Sequence, residues 1–154
     1  MTKAELEKLR RFVKRLRTAI DRARDEYEFP DDLPFINHWP RNCCDAPYLF
    51  LMLHELGHRG LTRKTADVSQ YGDDFGKHVW IVLDGITIDI TADQFPDVSD
   101  KVIVSRRSQW HDALRVIEER PWALKGEEAL YNRYVQWDGY RAYEKILPQY
   151  LPPL

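Results

Sequence analysis

A thiol, an imidazole and a carboxylate stand in this chain in an order that supports nucleophilic catalysis. His78 opens the stretch HVWIVLDGITIDIT, and Asp89 follows eleven residues later. Upstream lie Cys43 and Cys44, the only cysteines. A carboxylate that accepts an imidazole N–H fixes the tautomer and stabilises imidazolium, so the other ring nitrogen can take a thiol proton. A cysteine at a helix N-terminus adds to this, because the dipole and unsatisfied N–H groups favour thiolate and can hold an oxyanion. The bland reading of each piece is a structural thiol, a satisfied strand histidine and an ordinary hairpin aspartate; their conjunction carries the argument.

A rival chemistry is spelled by His54-Glu55-Leu56-Gly57-His58. Two histidines four apart on a helix can hold zinc, with the glutamate as general base. The extended motif is not met, since Leu61 and Lys64 stand where glycine and a third histidine belong. A distant carboxylate, Glu127 or Glu128, would have to complete the site. The alternative for these histidines is a helix C-terminus whose dipole they complement.

The elements that must position these groups are legible nearby. Asp84-Gly85 is a two-residue hairpin signal. Taken as the turn, it pairs Leu83 with Ile86, Trp80 with Asp89 and His78 with Thr91. His78 is then a diagonal neighbour of Asp89, about 7–8 Å away at the backbone and within side-chain reach. Val79, Ile81, Leu83, Ile86, Ile88 and Ile90 form one apolar face; His78, Trp80, Val82, Thr87, Asp89 and Thr91 form the other, largely polar one. Residues 44–57 read as an apolar helix bearing Leu49, Phe50, Leu53 and Leu56. Pro47 must fall in its first turn, which puts the cysteines at the helix mouth. Gly57 and Gly60 suit its exit.

Around this core the pattern predicts a long amphipathic helix over 3–28, with Leu6, Leu9, Phe12, Val13, Leu16, Ile20 and Ala23 on one side and Thr2 and Glu5 as a capping box. Pro30 and Pro34 end it and open a loop through Pro40. Thr62–Val68 and Val102–Val104 read as strands, and Gln70–Gly76 as a polar loop. Two helices follow, near 109–120, stopped by Pro121, and near 126–146. The tyrosines and tryptophan of the latter (Tyr131, Tyr134, Trp137, Tyr140, Tyr143) read as core and surface, with a partner interface as the alternative.

The 154 residues suit one domain, 1–154, with N-terminal helix 3–28, a catalytic core of about 39–105 and C-terminal helices of about 109–146. The net charge of −2 argues against a nucleic-acid binder working by bulk attraction. Arg10, Arg11, Lys14, Arg15 and Arg17 read as a solvated helix face. No apolar run approaches the roughly 20 residues of a membrane span, and no signal peptide is visible. Two adjacent cysteines without a third suggest a reduced, cytoplasmic protein, although signal-free export as an effector would leave no mark. Neither membrane nor cofactor is expected.

HVWIVLDGITIDITADQF resembles the histidine-to-aspartate segment of transglutaminase-like and papain-like cysteine enzymes, where a His-x-Trp strand precedes a hairpin ending in Asp-x-Thr. PRNCCDAPYLFLMLHELG is similar to their nucleophile helix. The likeness spans about residues 39–96. It implies an α+β fold in which a nucleophile helix packs on a small antiparallel sheet between flanking N- and C-terminal helices. It implies acyl transfer on amides of a protein or peptide substrate: hydrolysis, deamidation or transamidation. Cys44, with Cys43 as alternative, carries over as nucleophile, His78 as base and Asp89 as orienter. The thiol half departs from the pattern, because the family often has glycine beside the cysteine and a small residue four later, where Tyr48 or Pro47 stands here. An upstream polar side chain often helps the oxyanion in this family, a role open to Asn42 or Asn37. Trp80 is a candidate pocket wall, with core packing as its other role. A catalytically inactive binding scaffold of the same fold remains the non-enzyme alternative.

Overall fold

A computed structural model describes residues 1–26, 39–41, 57, 60–121 and 149–151. The loop through Pro34, residues 44–56 of the helix expected over 44–57 with Asn42, Cys43 and Cys44, the His54, Glu55 and His58 of the zinc motif, and the helix expected over 126–146 lie outside the described residues.

The chain opens with α1 (Lys3–Glu26), whose buried stripe is Leu9, Phe12, Val13, Leu16, Ala19, Ile20 and Ala23. Its start is the expected capping box. Glu5 N donates to Thr2 Oγ1 at 3.2 Å, and Thr2 N donates to Glu5 Oε2 at 2.6 Å. These bonds satisfy donors that the first helical turn leaves without backbone acceptors.

Five antiparallel strands follow: β1 (Leu61–Asp67), β2 (Lys77–Leu83), β3 (Ile86–Asp89), β4 (Ile103–Ser105) and β5 (Arg115–Pro121). They form one open sheet in the order β4-β3-β2-β1-β5. The fold is thus α+β, a small antiparallel sheet with an N-terminal helix. The β2–β3 hairpin turns at Asp84 and Gly85, with φ of 51° and 72°. Two consecutive positive φ values are the requirement of a type I′ turn, which matches the twist of the strands. The turn holds the expected register, Leu83 opposite Ile86, Val82 opposite Thr87 and Ile81 opposite Ile88.

Both faces of this hairpin are buried. Ile81, Leu83, Ile86, Ile88 and Ile90 are enclosed on one side. The helix α1 touches β4, and its Arg10 and Arg17 bond the carbonyls of Val104 and Ile90, so its apolar stripe serves this side. On the other side Trp80 packs with Ala66, Val68, Phe95 and Leu114, flanked by Tyr71, Phe75, Val82, Val98 and Trp110. The face that reads as largely polar in sequence is therefore an interior one.

Two sequence expectations are corrected. Residues 109–120 do not form one helix. A short helix α2 (Gln109–Ala113) ends at Leu114, whose φ and ψ of −76° and 144° are extended, and β5 begins at once. The β-branched pair Val116-Ile117 favours extension, and β1 offers an unpaired edge for it to complete. Arg115 bonds Asp67 at 2.7 Å and Lys64 approaches Glu119 at 3.4 Å across the β1–β5 pair. The second correction is Arg17, which belongs to no solvated face. It is buried, with Nη1 and Nη2 on the two oxygens of Asp93 at 2.7 and 2.8 Å, Nε on Asp21 at 2.9 Å, and Nη1 on the carbonyls of Ile90 and Lys101. A guanidinium fork can serve several acceptors at once, which a composition of helix-face charges does not reveal.

Candidate active site

The hairpin brings His78 and Asp89 together as the register requires. His78 leaves β2 on the side of Trp80, and Asp89 ends β3. Nε2 of His78 donates to Oδ2 of Asp89 at 2.6 Å, with exposures of 0% and 2%. The chain leaves β3 through Thr91, whose N–H and Oγ1 bond the other oxygen, Oδ1, at 2.8 and 3.3 Å. Burial alone would push the Asp89 carboxyl up, but the His78 charge and the hydrogen bonds from His111 and His78 outweigh it. They hold the carboxyl far below the usual carboxylate range.

A second imidazole on Asp89 is one that sequence reasoning missed. His111, from α2, brings its Nε2 to the same Oδ2 at 2.9 Å, and its Nδ1 lies 2.7 Å from Ser108 Oγ. In sequence His111 stands 22 residues from Asp89. Its one signal was a Trp-His pair, SQWHDA, echoing the aromatic beside His78; nothing in it indicates proximity to Asp89.

Aromatic rings enclose the pair of histidines. Trp80 stacks on His78 at 5.9 Å between centroids and meets His111 at 4.9 Å. Phe95 sets its edge to His78 at 5.0 Å, and Trp110 packs on both imidazoles at 5.6 and 4.8 Å. With 2% exposure, Trp80 has little surface to offer a substrate. Its place is the core cluster, the core-packing role open to it in the sequence, where it walls the histidines. A dry aromatic surround strengthens the electrostatics of the hydrogen bonds inside it.

No family model, no curated protein and no solved structure matches this chain.

The site is therefore read from its own chemistry. Asp89 is held ionised, so it only accepts, and both Nε2 atoms must carry hydrogen. That assigns His78 the tautomer in which Nδ1 is the atom that takes up a proton. Gln94 lies beside it, Nε2 at 3.4 Å from Nδ1, while the same amide donates to Thr91 O at 2.9 Å. The donor atoms of His78, Asp89 and His111 all lie within 4.8 Å of one another, a set that could hold a metal ion. Their N···O separations of 2.6 and 2.9 Å are hydrogen-bond lengths, so a cation would have to displace both Nε2 protons and spread the donors. Behind Asp89, Arg17 grips the Ile90 carbonyl and the Asp93 carboxylate, anchoring to α1 the turn that carries Thr91 and Gln94. The groove between α1 and residues 100–104, lined by Arg10, Lys14 and Lys101, includes none of the three site residues. No described helix is long and apolar enough to cross a membrane.

Proposed function

We propose that this chain is a cysteine-dependent acyl-transfer enzyme acting on amides of a protein or peptide substrate, with a papain- or transglutaminase-like arrangement. Cys44 is the nucleophile, with Cys43 as its alternative; His78 is the base and Asp89 its orienter. The observation that supports this reading is the buried 2.6 Å bond from His78 Nε2 to Asp89 Oδ2, with Thr91 holding the second carboxylate oxygen. This is the half of a triad that determines which ring nitrogen exchanges the proton. The reading also places the chain in a reducing compartment, where both cysteines stay thiols.

In the proposed reaction the thiol proton passes to Nδ1 of His78, and the thiolate sulfur attacks the carboxamide carbon. The carbonyl π pair moves onto oxygen, where N–H groups at a helix mouth, or Asn42, would stabilise it. The C–N bond then breaks, and its electron pair takes the proton from His78 as the amine leaves. The thioester is resolved by water or by a second amine, which gives its proton to His78, and the thiol is regenerated. Water yields hydrolysis or deamidation; an amine yields transamidation.

The test is residue-resolved alkylation of the full chain by iodoacetamide as a function of pH. One cysteine should react well below the pH at which an ordinary thiol does, and His78→Ala should abolish that low-pH reactivity. Cys44→Ala and Cys43→Ala then identify the reactive thiol. Two cysteines that alkylate alike, and as ordinary thiols with or without His78, would overturn the reading.

A further inference from the structure

Asp89 has no acceptor capacity left. Its Oδ1 takes the N–H and hydroxyl of Thr91, and its Oδ2 takes the Nε2–H groups of His78 and His111. Four donors fill the roughly four lone-pair sites of an ionised carboxylate. Two buried imidazoles thus share one oxygen, and their other nitrogens meet different surroundings. His111 Nδ1 sits 2.7 Å from the Ser108 hydroxyl, which stands three residues before it at the start of α2. A neutral His111 carrying its hydrogen on Nε2 must use Nδ1 as an acceptor, so Ser108 donates to it. That arm is closed. Beside His78 Nδ1 lies the Gln94 amide, its Nε2 at 3.4 Å.

We infer that His111, held by Ser108, is a positioning residue of the proposed reaction, acting through Asp89 on His78. The inference rests on the thiol-enzyme reading and adds to it a residue and a sign. A dry carboxylate serving one imidazole would hold the imidazolium tightly, yet a general base must also release its proton to the leaving amine. A second donor on Oδ2 draws on the same negative charge and weakens its hold on a protonated His78. It also pins Oδ2 in place, so the His78 ring keeps one orientation through the proton transfers. The groups facing the carboxylate from each packed element are His78 from β2, Thr91 from the turn after β3, and His111 from α2. Among the described residues, those facing the imidazoles include Gln94, Ser108, Trp80, Phe95 and Trp110. Trp110 also ties α2 to the loop before β2, through its Nε1 donating to Tyr71 OH at 3.0 Å, which in turn donates to Asp97.

The test compares the pH profile of iodoacetamide alkylation at the reactive cysteine in wild type, His78→Ala, His111→Ala, His111→Gln and Ser108→Ala. Removing His111 returns the full carboxylate to His78, so the imidazolium persists to higher pH. The expected result is an acid limb displaced upward by about half a unit or more in His111→Ala, a direction set by the loss of a donor on Oδ2. His111→Gln restores an N–H near Oδ2 and should lie between that variant and wild type. Ser108→Ala frees the His111 tautomer and should shift the limb the same way by less. If His111→Ala does not fold, the glutamine and Ser108 variants carry the test. A wild-type limb that vanishes in His78→Ala but stays unmoved in the His111 and Ser108 variants overturns this inference and leaves the thiol reading standing. A wild-type profile identical to that of His78→Ala overturns both.

Discussion

His78 and Asp89 are diagonal in the register set by Leu83 and Ile86, yet their side chains meet, Nε2 to Oδ2 at 2.6 Å. The contact is bought by nothing more than a two-residue turn and the alternation of two strands. Its setting is what a surface hairpin lacks: complete burial, a carboxylate with every acceptor site filled, and a second histidine on the same oxygen.

The Asp89 carboxyl lies far below its ordinary range, so its stabilisation is present above the unfolded value of about 4 and is lost as pH falls beneath it. Asp89→Asn should lower the unfolding free energy at neutral pH and flatten its decline between pH 5 and 3, measured by urea titration. Wild-type and variant curves that run parallel through that window would remove Asp89 as the cause. Under the proposed reaction the same variant loses about 10³–10⁴-fold in kcat, since an amide can impose the wrong imidazole tautomer.

Arg17 joins α1 to the turn behind the site. Arg17→Met leaves the Asp93 and Asp21 carboxylates without their shared cation and the Ile90 carbonyl without its donor. The expected cost is about 3 kcal/mol, larger than that of Arg11→Met on the same helix by several-fold. Denaturant midpoints for the two variants check this, and equal midpoints would contradict it.

Gly85→Ala puts a side chain at a φ of 72°, in the second position of the hairpin turn. The strain should cost about 1–2 kcal/mol. Asp84→Asn, by contrast, should be neutral or stabilising, because asparagine tolerates a φ of 51° well. Thermal unfolding of both variants is the measurement; a Gly85→Ala variant as stable as wild type would count against the type I′ assignment.

On β5, Val116 and Ile117 are 40% and 44% exposed, on a strand at the edge of the sheet. Val116→Thr and Ile117→Thr should therefore change stability by no more than about 0.5 kcal/mol, since threonine keeps β-branching on a solvated edge. A loss of several times that amount in chemical denaturation would mean that these side chains are buried.

Legibility followed the range of the interactions. Thr2 and Glu5 announced the start of α1 because a capping box spans three residues. Asp84-Gly85 announced the hairpin because the turn and its flanking alternation are local, and from them the shared face of His78 and Asp89 followed by counting. The helix expected over 109–120 failed at Leu114, where pairing with β1, about fifty residues away, outweighed local propensity. Arg17 looked like its neighbours Lys14 and Arg15 because Asp21, one turn on, equally suits an exposed helix pair; Asp93, 76 residues on, is what sets it apart.

The sequence by itself determined the tautomer half of the candidate site: a polar histidine and a carboxylate on one hairpin face, opposite an unbroken apolar one. Periodicity of two and a specific turn suffice for that, and both are written in consecutive residues. The tertiary structure alone decided that this polar face would be interior, that Trp80 would wall the histidines within the core, and that His111 would complete the acceptor shell of Asp89. Those outcomes depend on how α1 and α2 pack against the hairpin, and burial is a property of the packed whole rather than of any local pattern.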